Sequence, residues 1–269
     1  PCVGATYCLD RIYEGRDAVI AWMLSGPDVE YWVPLPDSTQ PLRAILDSYT
    51  KQHSAEYQAQ ALIDIGFALH ARGLDLDSVT DVLIRTSHHT HHVIGTGSND
   101  PQKMDPDSSR ETLDHSVMYI LAVAWEDGAW HHVDSYTSER AHRPSTVSLW
   151  QKIRTEEASD WTQAYHATDF RNKKFGAEVV VTLSNGDQVI ESLDNPNAHS
   201  LGASPFARAD YIGKLRTMGD GVADPDEIDR FIGLVEDLER LSADDVARLN
   251  IVVPADRLQD TSAERVGIL

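Results

Sequence analysis

Histidine is the residue type whose distribution first suggests chemistry. Seven of the twelve histidines lie between His88 and His132, and four of them, His88, His89, His91 and His92, form the run HHTHH. Neutral imidazole is a common ligand for transition metals. A metal clip also needs a ligand distant in sequence and a shell of hydrogen bonds behind it. The sequence displays neither, and it contains no HExxH pattern, so polar lining of a cleft or plain surface exposure is expected and no metal site is assigned. Downstream, Gly95 to Tyr119 reads GTGSNDPQKMDPDSSRETLDHSVMY. Its GxG lacks the third glycine of a dinucleotide fingerprint, so no nucleotide cofactor is expected. The loop puts Lys103 and Arg110 near a predicted helix start, where unpaired backbone N–H groups and the helix dipole favour an anion. A carboxylate-binding corner and a capped helix with two solvated cations both fit. Within that helix Thr112, His115 and Tyr119 share a predicted face. His and Tyr at i, i+4 can touch, and His is the usual general acid or base near neutral pH; a satisfied core His beside a buried Tyr is the other reading. Lys51 and Gln58 place further donors around another helix start, with a solvated strand-end Lys as the plainer alternative.

The elements that must hold these groups follow from periodicity and turn chemistry. Residues 26–41 carry Gly26, Pro27, Pro34, Pro36 and Pro41 and read as an extended connector. Arg43 to Lys51 is a weak strand. A helix is predicted over 55–72, with Ser54 as N-cap, Gly73 at its end and Ala61, Leu62, Ile65 and Leu69 as its core stripe. Val79 to Thr86 reads as a strand. A capping box of Ser108 and Glu111 opens the helix that carries His115, apolar nearly all round from Val117 to Trp125 and therefore buried. A short helix is predicted at 145–153, with Ser145 as cap. Ser184-Asn185-Gly186 between Ala177–Leu183 and Asp187–Leu193 marks a hairpin. Helices near 206–217, 225–240 and 243–249 follow. This order predicts an α+β domain, with an antiparallel sheet and packed helices, and then a helical tail.

Composition narrows the ligand class. The net charge of −20 (23 basic against 43 acidic residues) disfavours nucleic acid and anionic lipid, and it confines any anion to a locally basic pocket. Apolar runs are too short to span a bilayer. Two cysteines, Cys2 and Cys8, supply neither a disulfide framework nor the thiolates of an iron–sulfur cluster, and a reducing cytoplasm is expected. The sequence opens without Met and without a signal-peptide pattern, so its natural N-terminus is expected upstream. From the residues alone, the reading is a cytosolic α+β protein with a polycarboxylate site.

Three segments carry a resemblance: KQHSAEYQAQALID at 51–64, the GTGSNDPQKMDP loop with the SRETLDHSVMY helix, and WHHVDSY at 130–136. They resemble the MmgE/PrpD family, most closely its 2-methylcitrate dehydratases, and YEGRDAVIAWML at 13–24 agrees. The resemblance implies a connector over 1–40, an α+β lid over 41–200, and C-terminal helices over 201–269 that return to an all-helical domain whose first part, with important catalytic residues, is missing. It implies dehydration of 2-methylcitrate to 2-methyl-cis-aconitate without an iron–sulfur cluster, in propionate catabolism. It also implies a homodimer for the full-length enzyme and little activity for this part alone. Lys51, Lys103 and Arg110 would bind carboxylates with Gln58. His115 would be the acid, base or orienting group, and Tyr119 a proton donor or clamp. Where Gln58 stands, family members often carry His; Gln cannot take a proton, so any base function there is lost. A cis-aconitate decarboxylase of the same family and a non-catalytic binding fragment are the alternatives.

Overall fold

A computed structural model describes residues 37–39 and 48–258. The 13–24 segment, both cysteines, most of the connector and most of the Arg43–Lys51 strand lie outside the described residues; Ser48 to Lys51, the described end of that stretch, is not strand. The chain divides into two compact units between Pro205 and Phe206. No helix among the described residues is long and apolar enough to cross a membrane.

The first unit is built on α1 (Gln60–Ala71), β1 (Val79–Thr86), α2 (His88–Val93), α3 (Arg110–Asp114), α4 (Val117–Asp127), α5 (Ser138–Ala141), α6 (Pro144–Trp150), β2 (Ile153–Glu157), α7 (Ser159–Tyr165), β3 (Ala177–Leu183) and β4 (Gln188–Leu193). The strands form one sheet in the order β2-β1-β3-β4. It is mixed where an antiparallel sheet was expected: β1 pairs β3 and β3 pairs β4 antiparallel, but β2 lies parallel to β1, from Val82↔Ile153 to Thr86↔Glu157. The expected helix over 145–153 ends at Trp150, and Ile153 already belongs to β2. Alternation gives one buried face, with Val82, Ile84, Ile153, Val179 and Val181 in the core. Ion pairs cross between strands elsewhere, Arg85 with Glu178 at 2.9 Å and Arg154 with Asp81 at 3.1 Å. In the hairpin turn Gly186 takes the left-handed conformation (φ +87°).

α1 and α4 supply the helical side of the core. Ala61, Leu62, Ile65 and Leu69 are buried, as is every residue of α4 from Val117 to Trp125. Gly73, just past α1, is left-handed (φ +65°) and ends the helix. Ser54 does not cap it; Glu56 caps a preceding 3-10 turn, Tyr57–Ala59. Where the two helices approach, a Cβ on Gly66 would lie 2.7 Å from Ala124 Cβ and 3.0 Å from the Trp125 amide nitrogen. Gly66→Ala is therefore expected to destabilise the domain. Better helix propensity gives back about 1 kcal/mol, but overpacking of a rigid crossing costs about 1–3 kcal/mol. A urea midpoint above that of the wild type would contradict the close approach.

The helix expected from Ser108 onward is two helices. Ser109 caps α3 by accepting from Thr112 N, and the chain then breaks at His115. Ser116 starts α4 afresh. Its Oγ accepts from Tyr119 N at 3.3 Å and donates to Lys103 O at 2.7 Å, while Val117 N donates to Ile94 O at 3.0 Å, a tertiary bond in place of the helical ladder. His115 and Tyr119 consequently do not share a face.

The second unit contains α8 (Arg208–Gly219), α9 (Pro225–Glu236) and α10 (Ala243–Val246). α8 and α9 pack together around Ile212, Leu215, Phe231 and Ile232. Arg230 on α9 donates to Arg248 O at 3.1 Å and Asn250 O at 2.8 Å, tying down the segment after α10.

Candidate active site

The entry to α1, the α3–α4 break and the 130–136 loop meet around one carbonyl. Ser54 O accepts from Trp130 Nε1 at 3.2 Å and lies 2.7 Å from Tyr136 Oη. The same Tyr136 hydroxyl is 2.5 Å from Asp114 Oδ1 at the end of α3. Burial first, and the Asp114 bond next, push the Tyr136 phenol far above its ordinary range, so it stays protonated. The Arg110 guanidinium lies 4.9 Å from the centre of the Tyr136 ring, a cation–π geometry, and donates to His132 O at 3.0 Å. Arg110 is nevertheless exposed, and a guanidinium carries five donors in a fixed fork.

His115 stands in the α3–α4 break, exposed to solvent. Its Nδ1 donates to Glu111 O at 2.9 Å, which leaves Nε2 as the acceptor nitrogen. Asp114 Oδ2 is 3.7 Å from the same ring. Glu56 completes the cluster. Burial raises its carboxyl above the ordinary value, opposed by the Gln58 and Tyr57 amides, by the charge of Lys51 and by that of His115 in its protonated form. Gln58 sits behind Glu56. With its amide nitrogen toward the Glu56 carboxylate, its oxygen accepts from Tyr165 Oη at 3.3 Å and faces His89 Nε2 at 3.1 Å. His89 stacks on Tyr165, with ring centres 5.5 Å apart, and burial lowers its pKa. The result is a polar surface on which contacts join Asp114, Tyr136 and Arg110, and on which Glu56, bonded by Gln58, interacts electrostatically with Lys51 and His115. Cations, a hydrogen-bond acceptor nitrogen and a carboxyl group of raised pKa are the parts needed to bind a carboxylate and move a proton.

Residues 53–240 match the family model of the MmgE/PrpD C-terminal domain. The chain belongs to the MmgE/PrpD family. The matched span contains the whole cluster except Lys51, so the MmgE/PrpD domain carries both the scaffold and its polar surface.

Of the residues singled out in the sequence, Lys51, Gln58, Arg110 and His115 fall on or beside this surface. The other two are placed differently. Lys103 is buried, and its Nζ lies 3.6 Å from Asp100 Oδ2. Tyr119 is fully buried, its hydroxyl donates to Ser135 O at 2.6 Å, and its ring meets Trp150 edge-on at 5.0 Å. Through Ser135 it braces the segment that carries Tyr136. Sequence reasoning missed Glu56, Asp114 and Tyr136. All three lie inside the segments that carried the family resemblance, but only the fold shows that Asp114 bonds Tyr136 and that Glu56 is buried.

Proposed function

We propose that this MmgE/PrpD chain contributes the α+β lid and the following helices of a hydro-lyase that converts 2-methylcitrate to 2-methyl-cis-aconitate. The observation that supports this reading best is the convergence of three separated segments on one surface that joins Lys51 and Arg110 to His115 and Glu56. In a strongly acidic protein, such a pair of cations beside proton-transfer groups suits a polycarboxylate. Lys51 and Arg110 bind substrate carboxylates, and Gln58 holds Glu56 in place. His115 Nε2 takes the carbon-bound proton, and Glu56, whose carboxyl pKa burial raises, gives a proton to the departing hydroxyl. One C–H and one C–O bond break, a C=C bond forms, and the hydroxyl leaves as water. Asp114 and Tyr136 position His115 and Arg110. Lys103 and Tyr119 act from behind, through Ser116 and Ser135. Because the matched family model is that of a C-terminal domain, the proposal places the opposite wall of the cleft outside residues 53–240.

The test uses the full-length gene product with 2-methylcitrate, following the ultraviolet absorbance of the conjugated acid. Product should accumulate. Arg110→Ala should lower kcat/KM by roughly 10- to 150-fold, equivalent to about 1.5–3 kcal/mol for one charge-assisted hydrogen bond. Carbon dioxide release from cis-aconitate without dehydration would replace the reading with a decarboxylase. Kinetics unchanged in Arg110→Ala would remove Arg110 from the site.

A further inference from the structure

The HHTHH run acquires in the fold what it lacks in the sequence. His88 and His92 lie one turn apart on α2, with ring centres 4.3 Å apart. β2 runs parallel to β1, the strand that leads into α2, and the pairing of Thr86 with Glu157 sets the Glu157 carboxylate beside the first turn of that helix. Glu157 Oε2 lies 2.8 Å from His88 Nδ1 and 3.8 Å from His92 Nε2. One donor atom from each of the three residues falls within 4.8 Å of the others. A tetrahedral ion with bonds of about 2.0–2.2 Å keeps its ligand atoms about 3.3 Å apart, so small side-chain rotations close this triangle on an ion.

The groups behind the triangle are also in place. His92 Nδ1 lies 3.3 Å from Gly97 O, the geometry of a donor bond that leaves Nε2 with its lone pair toward Glu157. Thr162 Oγ1 donates to Glu157 Oε1 at 3.0 Å and accepts from His88 N at 2.8 Å. One carboxylate oxygen is thereby held by α7 while the other faces the imidazoles. Ligand and supporting group come from different elements, as in a built metal site rather than a chance surface pair. Two imidazoles and one carboxylate form a donor set suited to zinc and its neighbours in the first transition row, and unsuited to magnesium or calcium.

We propose that His88, His92 and Glu157 bind one divalent transition-metal ion, zinc fitting best. The ion joins α2 to the end of β2. It also stiffens the helix that carries His89 against Tyr165 and Gln58. The proposal stands on these three residues and is independent of the reaction assigned to the neighbouring surface.

The experiment is a calorimetric zinc titration of the 269-residue chain, without an affinity tag, in a background of Cys2→Ser and Cys8→Ser that removes competing thiolates. One equivalent should bind, and cobalt in its place should give the intense visible bands of a low-symmetry four- or five-coordinate site. The double variant His88→Ala/His92→Ala should weaken binding about 100-fold or more, Glu157→Gln about 10-fold or more, and Thr162→Val by a similar factor. His142→Ala removes a solvent-exposed histidine that also pairs with a carboxylate, Asp107 at 2.9 Å, and should change nothing. Circular dichroism checks that each variant is folded. If the double variant unfolds, Glu157→Gln carries the test alone. The proposal fails if no zinc binds, if binding survives loss of both imidazoles, if Glu157→Gln binds as tightly as the wild type, or if His142→Ala weakens binding as much as the double variant.

Discussion

Arg140→Met is expected to destabilise the first unit by about 3–5 kcal/mol, because it leaves a buried carboxylate without its cation. Arg140 is buried on α5, with Nη2 2.9 Å from Glu126 Oε2 and Nε 2.8 Å from Asp127 Oδ2, both at the end of α4. Its remaining nitrogen, Nη1, donates to Thr146 Oγ1 on α6, and Thr146 in turn bonds Glu126. Burial alone would lower the guanidinium pKa, but the bonds to Asp127 and Glu126 outweigh it and hold the pKa above its usual value, so the charge persists. One side chain thus pins three helices to each other, and the Glu126 side chain is only 6% exposed. In a thermal melt the loss should appear as roughly 6–20 °C in Tm. The double variant Glu126→Gln/Arg140→Met should recover part of that loss, since no uncompensated charge then remains. If the single and double variants melted together within error, the buried charge would not be the source of the effect.

The second large effect is catalytic. Glu56→Gln in the full-length protein is expected to lower kcat by 10²- to 10⁴-fold, the usual range for removal of a positioned acid. The same change should not lower stability. Burial raises the Glu56 pKa in the folded chain above its unfolded value, so the folded state binds this proton more tightly than the unfolded one. Ionisation therefore costs the folded state free energy above the folded pKa and nothing below the unfolded pKa. A neutral Gln escapes that cost while its amide oxygen still accepts from the Gln58 amide, which now bonds Glu56 at 2.5 Å. The expected pair of results is strongly reduced turnover with a urea midpoint at neutral pH equal to or above that of the wild type. A stable variant with full activity would reject Glu56 as the acid. An unstable one would show that its carboxylate holds the turn before α1 together.

How far the sequence reaches can be judged element by element. Local signals sufficed wherever the deciding interaction is local. Gly186 turns the β3–β4 hairpin, Gly73 ends α1, and the apolar spacing of Ala61, Leu62, Ile65 and Leu69 marks the buried stripe of that helix. The family was legible too, because long motifs carry it. Local signals failed where a distant partner decides. β2 is five residues long and ends in two glutamates, and it becomes a strand only because the edge of β1 pairs with it. The chain breaks at His115, where Val117 N bonds Ile94 O and the Ser116 hydroxyl bonds Lys103 O, thirteen residues back, and His115 is left in solvent while Tyr119 enters the core.

The sites divide in the same way. The sequence by itself determined the stock of groups: an acidic chain with few cations, a run of histidines, and three motifs dense in hydrogen-bonding side chains. Only the tertiary structure decided which of them meet. It brought Ser54, Asp114 and Tyr136 within hydrogen-bonding distance across 22 to 82 residues of chain, and it set Glu157 beside His88 across 69. The physical reason is that helix and turn preferences act over a few residues. The pairing of strand edges and the burial of helices against a sheet act between segments whose separation along the chain leaves no periodic trace.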